Sequence, residues 1–144
     1  MVSPMKTFAM ALDLLDDPSS IEEYKEYHRN VWPEVKEGLL SIGIEDMEIY
    51  ILGDRLFMVV DTKDDFDIET DFQRYTDSSE KAAEWDTLMR KFQKTTPFTN
   101  EGEWWAPMKR VFNLNTKCHF HGNYRFASPL MGFRFVPVRL DAGR

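Results

Sequence analysis

One cysteine, Cys118, stands in 144 residues, which excludes an intramolecular disulfide and gives no sign of an oxidising compartment. A cytoplasmic protein is expected. Long apolar runs are also missing. No stretch approaches the roughly 20 residues that span a bilayer, and the start, MVSPMKTFAMALDLLDD, has neither the basic lead nor the apolar core of a secretory signal. Basic residues are scarce, 18 Lys plus Arg against 25 Asp plus Glu for a net charge of -7. An anionic membrane or a nucleic acid would be repelled by such a surface, so neither is an expected partner. Glycine-rich phosphate loops, serine nucleophile elbows and zinc-type cysteine pairs do not occur, which sets aside the chemistries those motifs serve.

What is plentiful is aromatic side chains, 14% of the chain, enough to build either core or flat ring-binding surfaces. Three of them stand close together in Ile21–Val35, IEEYKEYHRNVWPEV. On a helix, Tyr24, Tyr27, His28, Val31 and Trp32 fall at i, i+3, i+4, i+7 and i+8, so one stripe carries two phenols, an imidazole and an indole. The length is ordinary for one domain with its own core.

The periodicities order the chain. Lys6–Leu15 reads as a strand closed by the acidic turn at Asp16-Asp17-Pro18. Asp17, Ser19 and Ser20 offer N-cap oxygens for a helix beginning near Ser20, with Glu22 and Glu23 in its first turn. Pro33 predicts a kink or break at Val31–Pro33, and Gly43 a stop. Glu45–Leu52 alternates as a half-buried strand, and Gly53-Asp54 turns it into a second strand, Arg55–Asp61. A short helix through Ile68, Phe72 and Tyr75 is followed by a longer one over Ser78–Gln93, with Ala82, Trp85, Leu88, Met89 and Phe92 on one side. A closing strand is expected within Glu103–Leu114, with Met108, Arg110 and Phe112 facing opposite to Lys109, Val111 and Asn113. The order β-α-β-β-α-β predicts an α+β, ferredoxin-like sandwich, its sheet covered by helices on one face and free on the other to form a homodimer. Residues 115–144 differ in character. They hold five Lys plus Arg against one Asp, while 1–114 hold 13 against 24. The expected division is a domain over 1–114 and a C-terminal extension over 115–144.

His28 is the leading candidate for chemistry, because imidazole both gives and takes protons near neutral pH. A lone helical histidine is more often structural, but Tyr24 one turn earlier adds a hydrogen-bonding phenol beside it. Trp32 and Trp85 are large enough to be core residues. An indole beside a histidine and a tyrosine also suits the apolar face of a sugar. His119 and His121 form an H-x-H next to Cys118, without further ligands at recognisable spacing, so no metal is expected.

The segments FAMALDL, EYKEYHRNVWPEV, GIEDMEIYI, RLFMVVDT, EWDTLMRKF and MKRVFNL, in that order over Lys6–Leu114, resemble the L-rhamnose mutarotase family. The most specific part is the Y-x-x-x-H-x-x-x-W-P-E core. The resemblance implies cofactor-free dimers of the dimeric α/β-barrel type that interconvert the α and β anomers of 6-deoxy-L-sugars. It implies His28 as proton carrier, with Tyr24 and Trp85 as substrate contacts. Met47 stands where rhamnose-type members carry an aromatic substrate contact, and Glu84-Trp85 where they carry a Trp pair. That pattern is closer to the L-fucose-associated branch, and it makes Met47 and Glu84 candidate substrate-facing positions. A cofactor-free α+β-barrel monooxygenase, or a module binding sugar or protein without turnover, are the other readings compatible with the architecture.

Overall fold

In this computed structural model, residues 5–114 are described; the expected extension over 115–144, with Cys118, His119 and His121, lies outside them. Residues up to Phe112 fall in one compact unit. Its order is β1 (Met5–Leu14), α1 (Pro18–Arg29), α2 (Pro33–Ser41), β2 (Ile44–Leu52), β3 (Arg55–Lys63), α3 (Asp71–Ser78), α4 (Glu80–Arg90), β4 (Gln93–Lys94) and β5 (Ala106–Met108). The sheet runs β2-β3-β1-β4, with β5 also on β1 and every pairing antiparallel. This is the expected ferredoxin-like arrangement, except that two short strands share the last position.

Register decides which side chains face the helices. Met10 pairs with Met58 and Leu12 with Leu56, while Ile49 pairs with Met58 and Ile51 with Leu56, so all of these point to one face. Leu12, Leu56 and Val60 are fully buried there, each worth about 1.5–3 kcal/mol of transfer free energy. Ile44 and Met47 share the face although three residues apart, which strict alternation forbids. A bulge between Ile44 and Asp46 restores the phase. The opposite face carries Ala9, Ala11, Tyr50, Leu52, Phe57 and Met108, the last four exposed. No helix among the described residues is long and apolar enough to cross a membrane.

Local chemistry sets the helix ends. The Asp17 carboxylate accepts from the Ser20 backbone N–H at 3.0 Å and its hydroxyl at 2.8 Å, so α1 starts at Pro18, earlier than expected. Glu22 and Glu23 therefore lie beyond the first turn, and Glu22 pairs with Lys25 and Arg29 instead. The expected interruption occurs: Trp32, held extended at φ -57°, ψ 136° before Pro33, separates α1 from α2. Gly43 ends the helical stretch at φ 103°, a conformation costly for any side chain. Gly38 lets the Tyr75 ring pack on α2, since a Cβ there would stand 2.5 Å from the ring edge.

Two expectations need correction. The helix over Ser78–Gln93 is shorter: Ser79 caps α4 through Ala82 N–H at 3.0 Å, and beyond Arg90 the chain joins the sheet. Leu15 donates to the Phe92 carbonyl at 2.8 Å and Gln93 pairs with Leu14. The closing strand covers only Ala106–Met108, and Lys109–Leu114 do not continue it. Pro107 supplies no N–H to this edge ladder, and Val111 and Phe112 are exposed rather than alternating against a face.

Candidate active site

Helix α1 lies over the helix-facing side of the sheet and turns Tyr24 and His28 toward β2 and β3. Tyr24, Lys25, His28 and Arg29 from the helix, with Ile49, Ile51 and Leu56 from the strands, line an open cleft of about 190 Å³. That is smaller than a drug-sized pocket and suits a small polar ligand with an apolar side. Lys25 and Arg29 at its mouth are engaged by Glu22, and Arg29 also by Glu26.

The imidazole is fixed on one side. His28 Nδ1 lies 2.9 Å from the Tyr24 carbonyl oxygen; a carbonyl only accepts, so Nδ1 carries a proton and Nε2 holds the lone pair of the neutral ring. Burial holds the His28 pKa below its usual 6.5, partly offset by the bond to the Tyr24 carbonyl. At neutral pH the residue is therefore an uncharged base at Nε2. The Tyr24 ring lies 4.2 Å from it, centroid to centroid. Burial pushes the Tyr24 phenol up to about 12, against the pull of a hydrogen bond from the Gln93 side chain. The phenol is a neutral hydrogen-bonding group at physiological pH, not a phenolate.

Trp85 is buried and meets the His28 ring edge-on at 5.6 Å, with Trp32 stacked edge-on behind it at 5.2 Å. It backs the imidazole and does not line the cleft. Met47 is on the same sheet face as Ile49 and Ile51 but packs against Met10, Met58 and Val60. Glu84 points outward, bound to Lys81 at 2.9 Å, whose ammonium sits 5.2 Å over the Trp32 ring. The structure thus brings together Tyr24, His28 and Trp85, and leaves Met47 and Glu84 apart from them. Among the described residues there is no cluster of three or more His, Cys, Asp or Glu placed to hold a metal ion.

Gln93 and Trp104 form a pair outside the cleft lining that the spacing in the sequence did not mark. The Trp104 indole N–H donates to Gln93 Oε1 at 2.9 Å. The signal available in the sequence was only that a partly buried indole requires an acceptor.

A family model for L-rhamnose mutarotase matches residues 7–114. An L-fucose mutarotase of Xanthomonas campestris is 37% identical over 113 residues, covering 77% of this chain and 90% of that protein. A UPF0734 protein of Dictyostelium discoideum is 53% identical over 113 residues, covering 76% and 90%. Among solved structures, an L-rhamnose mutarotase from Formosa agariphila superposes with a TM-score of 0.56 at 22% identity, over 76% of this chain and 98% of that one. Tetracenomycin F2 cyclase from Streptomyces glaucescens does so at 0.57 and 16%, over 75% and 95%. At such identities the solved structures speak for the fold, which one architecture lends to different chemistries. The family is decided by sequence: matched from residue 7 to residue 114, this chain belongs to the L-rhamnose mutarotase family.

Proposed function

We propose that this protein is a sugar mutarotase that interconverts the α and β anomers of a 6-deoxy-L-hexose, with L-fucose the preferred sugar over L-rhamnose. The observation that carries the reading is the neutral His28, its Nδ1 proton tied to the Tyr24 carbonyl and Nε2 left with a lone pair in a cleft shared with the Tyr24 phenol. Anomerisation removes the proton of the anomeric hydroxyl and protonates the ring oxygen. The bond from that oxygen to the anomeric carbon breaks, a carbonyl forms, and the ring closes again after rotation about the first carbon–carbon bond. Both oxygens are attached to one carbon, so a single imidazole reaches each in turn: Nε2 takes the hydroxyl proton and returns it to the ring oxygen. Tyr24 donates a hydrogen bond to the oxygen gaining negative charge. Trp85 holds the imidazole in place, and Ile49 and Ile51 offer the sugar an apolar surface. None of these steps calls on a cofactor.

Family membership favours this reading over a monooxygenase or a binding module. Saturation-transfer NMR on equilibrated L-fucose and L-rhamnose tests it: magnetisation should pass between anomer signals faster than in buffer alone, and faster for L-fucose. Two spontaneous rates would sink the assignment, and a faster L-rhamnose exchange would reverse the sugar.

The protein further acts, in this proposal, as a cytoplasmic homodimer closed sheet to sheet. Tyr50, Leu52, Phe57 and Met108 are exposed on the face away from the helices, where large apolar side chains favour a covering partner. Sedimentation at micromolar concentration should give the mass of two chains, and Leu52→Asp with Phe57→Asp the mass of one. A monomeric wild-type protein would exclude the dimer.

A further inference from the structure

Arg29 closes α1 beside His28 and lines the cleft with it, yet no step of the anomerisation calls on a guanidinium. Its Nη2 donates to Glu22 Oε1 at 3.0 Å and its Nη1 to Glu26 Oε2. The carboxylates stand seven and three residues earlier on the helix, about two turns and one turn back, and so reach the cation along one face. A guanidinium carries five N–H donors in a rigid plane. Among the described residues these two bonds leave the Nε–H and one hydrogen on each Nη for other acceptors, on a side chain that forms part of the cleft wall. Neighbouring ring hydroxyls of a sugar are acceptors that a planar fork can meet together.

The charges at the cleft favour a neutral ligand. Lys25, also on the wall, lies 3.7 Å from Glu22, so two cations face two carboxylates and cancel. The mouth offers oriented donors without the net positive field that draws a phosphate or a carboxylate. Arg29 and both carboxylates are more than half exposed, where ion pairs add little to stability. Their effect is to hold a long, flexible cation in one place beside the cleft.

We infer that Arg29, held by Glu22 and Glu26, is a specificity-determining residue that donates hydrogen bonds to ring hydroxyls of the sugar. The inference rests on the assignment of the cleft to a sugar. It divides the labour within that site: His28 and Tyr24 meet the two oxygens of the anomeric carbon, and Arg29 reads hydroxyls elsewhere on the ring, where L-fucose and L-rhamnose differ.

In Arg29→Gln, KM for L-fucose should rise about tenfold with kcat within about twofold, the mark of an interaction made equally in ground and transition states. The kcat/KM ratio between L-fucose and L-rhamnose, whichever is favoured, should narrow severalfold. Arg29→Lys keeps the charge but not the fork, and should lose nearly as much. Glu22→Ala combined with Glu26→Ala should raise KM about threefold, and should cost nothing further in an Arg29→Gln background, because it acts through the cation. Independently of turnover, the Arg29 Nε–H NMR signal should shift on titration with L-fucose, and the melting temperatures should stay near wild type. An unchanged KM in Arg29→Gln, an unchanged ratio between the sugars, a wild-type KM in Arg29→Lys, losses that simply add, or an Nε–H indifferent to L-fucose would each overturn the inference. A lowered melting temperature with unchanged KM would leave Arg29 a helix-stabilising residue alone. If the wild-type protein leaves both sugars at their spontaneous rates, the sugar assignment falls and this inference with it. If it exchanges anomers and Arg29→Gln does so with the same KM, only the inference falls.

Discussion

Replacing His28 by Ala should slow anomer exchange by about 10²–10⁴-fold, the usual contribution of a positioned general acid–base group, or roughly 2.7–5.4 kcal/mol of transition-state stabilisation. The fold should survive the change. His28 is half-buried on a helix where Ala has the higher propensity, and the Tyr24 carbonyl that accepts from Nδ1 keeps its place in the backbone ladder of α1. The rings of Tyr24 and Trp85 would lose a neighbour, costing some packing but no charge pair. Because the lesion is a missing proton carrier rather than a missing structural element, free imidazole added to His28→Ala should restore part of the rate. Circular dichroism and a melting curve close to wild type, combined with a slow and imidazole-rescued exchange, are the expected set. An exchange rate equal to wild type would remove His28 from the mechanism, and a slow variant deaf to imidazole would point to packing.

Much of the architecture was legible because its strongest signals are local. The alternation in Glu45–Leu52, the Gly53-Asp54 turn and the apolar Arg55–Asp61 run specify a hairpin from residues close in sequence, and β2 and β3 pair as that pattern requires. Pro33 likewise breaks the helix where its missing N–H demands. The misses fall where a distant partner decides. Trp85, Leu88, Met89 and Phe92 continue one helical period, so nothing local shows that the chain leaves the helix after Arg90. It does so because Gln93 and Lys94 find Leu14 and Asp13 on the edge of β1. The same edge accepts only Ala106–Met108 from the last segment, although the alternation Met108 to Asn113 reads as a longer strand. The Ile44–Asp46 bulge had no signal beyond an apolar spacing of three.

The site divides along the same line. Tyr24 and His28 sit one turn apart on a helix, and helical spacing suffices to place them side by side. Trp85 approaches them from a different helix; its residue type alone left it between a core role and a sugar contact, and no local spacing put it beside His28. Glu84, adjacent to Trp85 in sequence, is turned about 100° away on α4 and spends its charge on Lys81. Met47 reaches the correct face but packs against the neighbouring core. Hydrogen-bond direction was beyond sequence altogether: the tautomer of His28 follows from a backbone carbonyl, and the orientation of Gln93 from an indole eleven residues later.

Acid should silence the enzyme before it unfolds it. Burial holds the folded-state pKa of His28 below 6.5, so Nε2 keeps its lone pair at pH 6.5 and loses it only in more acid solution. Below that folded-state pKa, kcat/KM should fall about tenfold per pH unit, or about a hundredfold two units below it, as the neutral fraction declines. The Tyr24 phenol, pushed up to about 12, stays neutral across this limb. Stability follows with a definite sign. The unfolded chain binds the proton at about 6.5 and the folded chain only at lower pH, so stabilisation present above 6.5 is lost as pH falls through the folded pKa, and no further below it. Carboxylates contribute their own acid sensitivity, so the imidazole term is isolated by comparing melting temperatures of wild type and His28→Gln across pH 7 to 5, with the gap shifting against wild type as acid is added. Exchange rates corrected for the spontaneous reaction supply the other half. A rate that instead rises as acid is added would mean that the imidazole works as its cation, and would reverse the roles given to Nε2 and the phenol.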